Sequence, residues 1–355
     1  MYTDVLRTAD RRRRRLHIAL SALLLSSGAQ LACDSPSGPN LGPPLSASNM
    51  RHHLEVLAAD GMMGRRAGSG YERQAAGYIR ARFQAYGLLP GADEYLQGFP
   101  IDRVVDGQTG LSSQNVIGVL RGAGSLAEEV VVLGAHYDHL GWITAGDSVV
   151  VFNGADDNAS GTALLLELAR AMSGVVRGRE LKGRDRRSVV FQAFGAEEVG
   201  LVGSFYYCDH PTVPMEGIVA MLNFDMVGRF GPQGLFLMGA SSSSDWRELV
   251  VGANDERLPI VYTDEALNRS DQYCFYQNET PILFFHTGLH DQYHTPRDDV
   301  ALIDVDGMVA VGELAMEVLV DLIVTPSPPS YTGGTLPGVG ALVDTGRAAG
   351  VRRSP

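Results

Sequence analysis

The chain has 355 residues, 45% of them hydrophobic and 20% charged, with a formal net charge of −12, a composition that supplies a large buried core and excludes disorder along the whole length. Residues 1–33 hold six Arg and two Asp, so of 29 basic and 41 acidic side chains 23 and 39 remain beyond them, a net of −16. That balance excludes recognition of a phosphate backbone, and so nucleic-acid partners, while saying little about substrate.

Arg11 to Arg15 form a basic stretch, residues 16–27 an apolar run, and Gly28-Ala29-Gln30-Leu31-Ala32-Cys33 a small-residue cleavage region. Together they read as a signal peptide over residues 1–33, because the apolar run is too short to span a bilayer comfortably. Leu31-Ala32-Cys33 resembles a bacterial lipobox, with Gln30 in place of the usual aliphatic residue. The expectation is an exported, periplasmic or cell-surface protein whose membrane contact is a lipid anchor at Cys33, with simple secretion as the alternative. Residues 34–48, rich in Pro, Gly and Ser, read as a flexible linker.

Amphipathic helices are expected over residues 46–60 and 71–86, separated by a loop with four Gly. Short apolar runs follow at 115–120, 130–133, 189–194, 218–224, 235–238, 260–262 and 282–285, several unbroken by polar residues, as strands covered on both faces should be. Helical stretches lie between or after them at 161–172, 199–207, 245–254, 270–277 and 307–323. The alternation predicts an α/β three-layer sandwich with a mostly parallel, mixed central sheet, formed by one domain over residues 49–325. Residues 141–152 and 239–244 read as loops, and residues 326–355, rich in Pro, Gly and Ser, as a disordered tail. Cys208 and Cys274 could pair in an oxidising compartment or remain two buried thiols.

The chemistry-bearing residues cluster where apolar strands end. The run 130–135 leads into His136, with Asp138 two residues on; on extended backbone the two side chains share a side, so Asp138 can accept the second imidazole hydrogen. Asp156 and Asp157 sit in a Gly-flanked loop that opens a helix, where one acid can bridge two metal ions while the other caps or supports. Glu197 and Glu198 follow the strand at 189–194, and consecutive residues project differently, so one can bind metal while its neighbour faces a water as general base. Asp225 ends the run 218–224, and His294 lies in the loop after 282–285. Carboxylates and imidazoles with one carboxylate to spare describe a hydrolytic metal site and not a structural one.

Ala135-His136-Tyr137-Asp138-His139, Gly154-Ala155-Asp156-Asp157-Asn158-Ala159-Ser160-Gly161, Gly195-Ala196-Glu197-Glu198, Asn223-Phe224-Asp225 and Tyr293-His294-Thr295-Pro296 resemble the M28 family of zinc metallopeptidases in order and spacing. The earlier Leu57-Ala58-Ala59-Asp60-Gly61 and Gly64-Arg65 segments are similar too. The resemblance implies a phosphorylase/hydrolase-like zinc exopeptidase architecture and two Zn²⁺ per chain. His136 and Asp225 would hold one ion, Glu198 and His294 the other, and Asp157 would bridge them. Glu197 would be the general base, Asp138 would orient His136, Tyr293 would lie near the reacting carbonyl, and a cis peptide would follow Asp157. Where the family often has His after Ser-Asp, this chain has Gln272, a position outside the ligand set. The function so implied is a peptide-cleaving aminopeptidase. The competing readings are a single-zinc acyltransferase of the glutaminyl cyclase kind and a non-catalytic binding protein, both disfavoured by the intact ligand set.

Overall fold

A computed structural model describes residues 45–178, 181–264 and 267–333. The signal peptide, the Cys33 anchor and most of the 34–48 linker lie outside those residues.

The helices and strands run in the order α1 (Ala47–Leu57), α2 (Gly70–Tyr86), β1 (Leu89–Pro90), β2 (Leu96–Ile101), β3 (Leu111–Leu120), β4 (Val130–His136), β5 (Gly141–Ala145), β6 (Ser148–Phe152) and α3 (Gly161–Arg177). There follow β7 (Ser188–Phe194), α4 (Val202–Asp209), β8 (Ile218–Phe224), β9 (Leu235–Met238), α5 (Trp246–Asn254), β10 (Ile260–Thr263), α6 (Gln272–Gln277), β11 (Ile282–His286) and α7 (Val305–Val324). The main sheet has the order β1-β3-β7-β4-β8-β11-β9-β10, with β2 also on β3. It is mixed: β7, β4, β8 and β11 at its centre are mutually parallel, whereas β3 runs antiparallel to β7 and β9 antiparallel to β11.

The unbroken apolar runs became these central strands because both faces are covered. Along β4, Val131, Leu133 and Ala135 enter one core with α1, α2, α3, α5 and α7, while Val130 and Val132 enter another with Tyr207 of α4 and Phe275 of α6. From β4 the chain steps through α3 to β7 on one side, then through α4 to β8 on the other. Such a reversal of strand order opens a crevice at the carboxyl ends of the strands. His136 ends β4, Glu197 and Glu198 follow β7, Asp225 follows β8, and the loop after β11 carries His294, so all of them leave by the same edge.

Several boundaries differ from expectation. Ser46 caps α1 by accepting from Asn49 N at 3.2 Å, so residues 46–48 belong to the fold and not to the linker. The helix expected at 199–207 begins only at Val202, because Ala196, Gly200 and Leu201 take positive φ around the two glutamates. Residues 141–152, expected as a loop, form the hairpin β5–β6. The expected tail starts later than 326: Arg187 Nη2 donates to Pro326 O at 3.0 Å, Ser330 N to Asp245 Oδ2 at 3.0 Å, and the Tyr331 ring lies 5.8 Å from that of Tyr276. These anchors hold residues 326–333 against the domain despite their loop-like composition. Cys208 of α4 and Cys274 of α6 form a disulfide, which settles the alternative left open by the sequence.

Candidate metal centre

The five expected ligands converge. His136 Nε2 lies 3.3 Å from Asp157 Oδ1 and 3.5 Å from Asp225 Oδ1, and all three residues are buried. His294 Nε2 lies 2.9 Å from Asp157 Oδ2 and 3.3 Å from Glu198 Oε2. Asp157 therefore faces both groups. Its loop is held by Asp298, whose carboxylate accepts Asp156 N and Asp157 N at 3.0 Å each, and the Asp157–Asn158 peptide is cis. Asp156 turns away to accept Gly228 N at 2.7 Å and to meet His290 Nε2 at 3.1 Å, which is the supporting role expected of one of the two acids.

Asp138 serves differently from the simple expectation. Its carboxylate accepts Glu197 N at 2.9 Å and Glu198 N at 3.2 Å, while His136 Nδ1 lies 3.7 Å from Asp138 Oδ1 and 3.3 Å from its backbone oxygen. One side chain thus joins the end of β4 to the loop after β7, fixing both glutamates beside the histidine. Tyr293 stacks on His294 with ring centroids 3.8 Å apart.

The donor set can be tested against a metal. Two ligands each about 2.0–2.1 Å from one tetrahedral ion stand about 3.3–3.4 Å apart, close to the 3.3 and 3.5 Å spacings around His136 and the 3.3 Å between His294 and Glu198, while His294 and Asp157, at 2.9 Å, stand closer. Asp225 Oδ1 is buried without a hydrogen-bond partner among the described residues. Two clusters, His136/Asp157/Asp225 and His139/Asp157/Glu198, each bring their ligand atoms within 4.8 Å of one another. The residues fit divalent cations at two positions sharing Asp157.

The sequence profile of Peptidase family M28 matches residues 115–319, more than half of the chain. The chain belongs to peptidase family M28. Aminopeptidase YwaD of Bacillus subtilis is 27% identical over 232 residues, 62% of this chain and 47% of that protein, so the chain spans about half the length of that relative. Leucine aminopeptidase 1 of Arthroderma gypseum is 26% identical over 78% of this chain and 74% of its own. Among solved structures, BSAP, a zinc aminopeptidase from Bacillus subtilis, superposes with a TM-score of 0.64 at 18% identity, covering 82% of this chain and 99% of that one. A Zn-dependent exopeptidase from Parabacteroides distasonis gives 0.62 at 19% identity, over 78% and 98%. At such identities the structural likeness speaks for the fold.

The electrostatics of this M28 rim call for positive charge. Burial disfavours a charged His136, yet Glu197, Asp225, Asp138 and Asp157 together lift it well above the usual histidine range. His294 is lifted to about 10, burial being outweighed by Asp157 and Glu198. Burial works to raise the Asp157 carboxyl, but His136, His294 and His139 hold it well below its usual value. Protons here occupy positions that cations can take. Burial pushes Glu197 well upward, with Asp271, Glu198 and Asp225 adding and His136 opposing. A carboxyl so placed accepts and returns a proton more readily than an exposed one.

Three contributors lacked a role in the sequence reading. Arg65, fully buried, donates Nε to Tyr137 O at 2.7 Å, Nη1 to Leu57 O at 2.6 Å and Asn153 O at 2.8 Å, and Nη2 to Gly154 O at 3.0 Å, bracing both metal loops from behind. Burial draws it down to about 10, opposed by Asp138, Asp157 and Asp298, so it stays cationic. Asp298 orders the Asp157 loop, as described. His139 lies 2.7 Å through Nδ1 from Glu198 Oε1; its signal was its place in the His136 motif, three residues on.

Proposed function

We propose that this chain is an exported dizinc aminopeptidase that hydrolyses N-terminal residues from peptides. The observation that carries the reading is Asp157 facing two donor groups, His136 with Asp225 on one side and Glu198 with His294 on the other, all of them lining a cavity of about 1210 Å³ that Glu197 also lines. The aminopeptidase names of its relatives point the same way. His136 and Asp225 would hold one ion, Glu198 and His294 the other, with Asp157 between. When bound, the ions would bring the pKa of a water towards neutrality and polarise the scissile carbonyl.

The remaining roles fall to the chain. Glu197 takes the proton of the attacking water and delivers it to the leaving amine. Asp138 keeps Glu197 and His136 in register through the contacts above. The Tyr293 hydroxyl, on a ring stacked against His294, is placed to donate to the oxygen on which negative charge develops. Asp225 and Glu197 give the cavity an acidic end that complements a free α-ammonium, and Phe236, Met238, Val261 and Leu289 give it apolar wall for side chains.

The deciding experiment is a panel of N-terminally free and N-blocked peptides, run with elemental analysis of the protein. Cleavage confined to free amino termini with close to two zinc ions per chain is expected. Equal cleavage of blocked peptides would refute the exopeptidase reading, and one zinc with cyclisation of N-terminal glutamine would favour the cyclase. Export rests on the leader alone; a membrane-bound protein that becomes soluble on Cys33→Ser would establish the anchor.

A further inference from the structure

His139 has no place in the ligand assignment above, yet its ring is enclosed at 1% exposure. Its Nδ1 lies 2.7 Å from Glu198 Oε1, a hydrogen-bond distance, and 3.8 Å from Asp157 Oδ2, which is not one. The other nitrogen, Nε2, is buried and has no partner among the described residues. A hydrogen on Nε2 would be buried without an acceptor, so the ring hydrogen belongs on Nδ1, directed at Glu198 Oε1. Nor does the spacing suit His139 as a ligand beside Glu198. Two ligands of one tetrahedral zinc stand about 3.3–3.4 Å apart; His139 Nδ1 is too near Glu198 Oε1 at 2.7 Å and too far from Asp157 Oδ2 at 3.8 Å, whereas His294 Nε2 reaches both carboxylates, Asp157 Oδ2 at 2.9 Å and Glu198 Oε2 at 3.3 Å.

The ring is fixed from several sides. His139 N donates to Arg65 O at 3.4 Å, and the His294 ring lies edge-on with centroids 5.8 Å apart. Gly154, at φ +56°, passes so close that a Cβ there would collide with His139 Cδ2 and Cγ. Arg65 Nη2 holds the Gly154 carbonyl in turn. The two oxygens of Glu198 are thereby divided, Oε1 to His139 and Oε2 to the side of His294.

We propose that His139 is a positioning residue for the ion on the Glu198 side: by donating Nδ1–H to Glu198 Oε1 it holds Glu198 as a one-oxygen ligand through Oε2. The proposal rests on the metal reading above. A glutamate free to rotate exchanges between one- and two-oxygen binding, and a pinned one presents a single lone pair in a fixed direction. Hydrogen bonds of this kind, one layer out from the metal, typically change affinity by about 10–100-fold.

The test is zinc affinity of the full chain. Wild type, H139A and H139N are loaded with zinc and dialysed against graded chelator, bound ions per chain are counted by plasma mass spectrometry, and thermal melting confirms folding. H139A should lose one ion at a free-zinc level about 10–100-fold higher than wild type while keeping the other. Asparagine carries an amide N–H where imidazole has Nδ1, so H139N should recover most of the loss. The positioning role is overturned if H139A holds both ions as tightly as wild type, or if H139N fails as badly as H139A, which would mark the ring as a ligand or as packing alone. A wild-type chain that binds a single ion would end the dizinc reading. In that case the proposal stands if H139A weakens the ion and H139N restores it, and falls if all three proteins hold it alike.

Discussion

His53 and His136 are equally enclosed, at 2% and 1% exposure, yet their surroundings drive them in opposite directions. His53 of α1 sits between Tyr78 and Tyr86 of α2, at 2.6 Å from one hydroxyl and 3.1 Å from the other. Burial pushes it down to about 4, with the positive charges of His52, Arg82 and Arg170 adding to the shift. At the rim the same burial is overcome by Glu197, Asp225, Asp138 and Asp157, and His136 rises. The helical layer solves the cost of burying an imidazole by keeping it neutral between hydroxyls; the rim keeps its charges and needs counter-ions. The first arrangement supports a fold, and the second makes a place for metal.

The largest effect that could break this contrast is at Glu197, the proposed proton carrier. Glu197→Gln should lower kcat by about 10²–10⁴-fold, with metal content unchanged and the His53 environment untouched. A variant as active as wild type would remove Glu197 from the chemistry. Next comes Arg65→Met, which leaves the carbonyls of Leu57, Tyr137, Asn153 and Gly154 without their donor and the rim acids without their rear cation. Denaturant unfolding should show a loss of about 3–5 kcal/mol. Arg65→Lys should recover only part of it, since one ammonium cannot span carbonyls from three separate segments. Equal unfolding midpoints for wild type and Arg65→Met would mean that the brace is incidental.

That brace also shows where sequence reasoning reached its end. The rim was legible because His136, Glu198 and Asp225, three of the proposed ligands, come directly or closely after an apolar run, and parallel strands deliver such positions to one edge. His136, Asp225 and the Glu197–Glu198 pair could be placed from that rule alone. Arg65 could not, because its partners are backbone carbonyls, which every residue has and no pattern marks. His139 was visible in its motif, but its partner Glu198 is 59 residues away, and only folding brings the two together. The hairpin β5–β6 was missed for a different reason: Val149 to Phe152 is an apolar run, but its strands pair only with each other, outside the main sheet and outside the strand–helix alternation by which the other strands were recognised. Asp138 was placed correctly beside His136 but had a second use, capping two glutamate N–H groups, that spacing does not reveal.

A third environment lies on the sheet face opposite the helical layer. There the Cys208–Cys274 disulfide joins α4, which follows Glu197 and Glu198, to α6. A disulfide across a sequence separation of 66 typically stabilises by about 2–4 kcal/mol. The C208S/C274S double variant should unfold at correspondingly lower denaturant, and if the link serves the rim as well as the fold, it should also release zinc more readily while keeping the acid response of His53. Unchanged metal affinity would confine the disulfide to stability.

The smallest effect separates the two histidine environments by pH. His53 has its folded value depressed to about 4 from 6.5, so its contribution is fully present above pH 6.5 and lost as pH falls through 4. About 2 kcal/mol should be gone by pH 5, and His53→Gln should flatten that slope. His294 is raised to about 10, so with zinc chelated its contribution is present below pH 6.5 and lost as pH rises through 10. Zinc at the rim takes the place of that proton and should erase the alkaline slope while leaving the acid one intact. Unfolding measured across pH with and without chelator reads both, and an acid slope that also depends on zinc would show that the two regions are not independent.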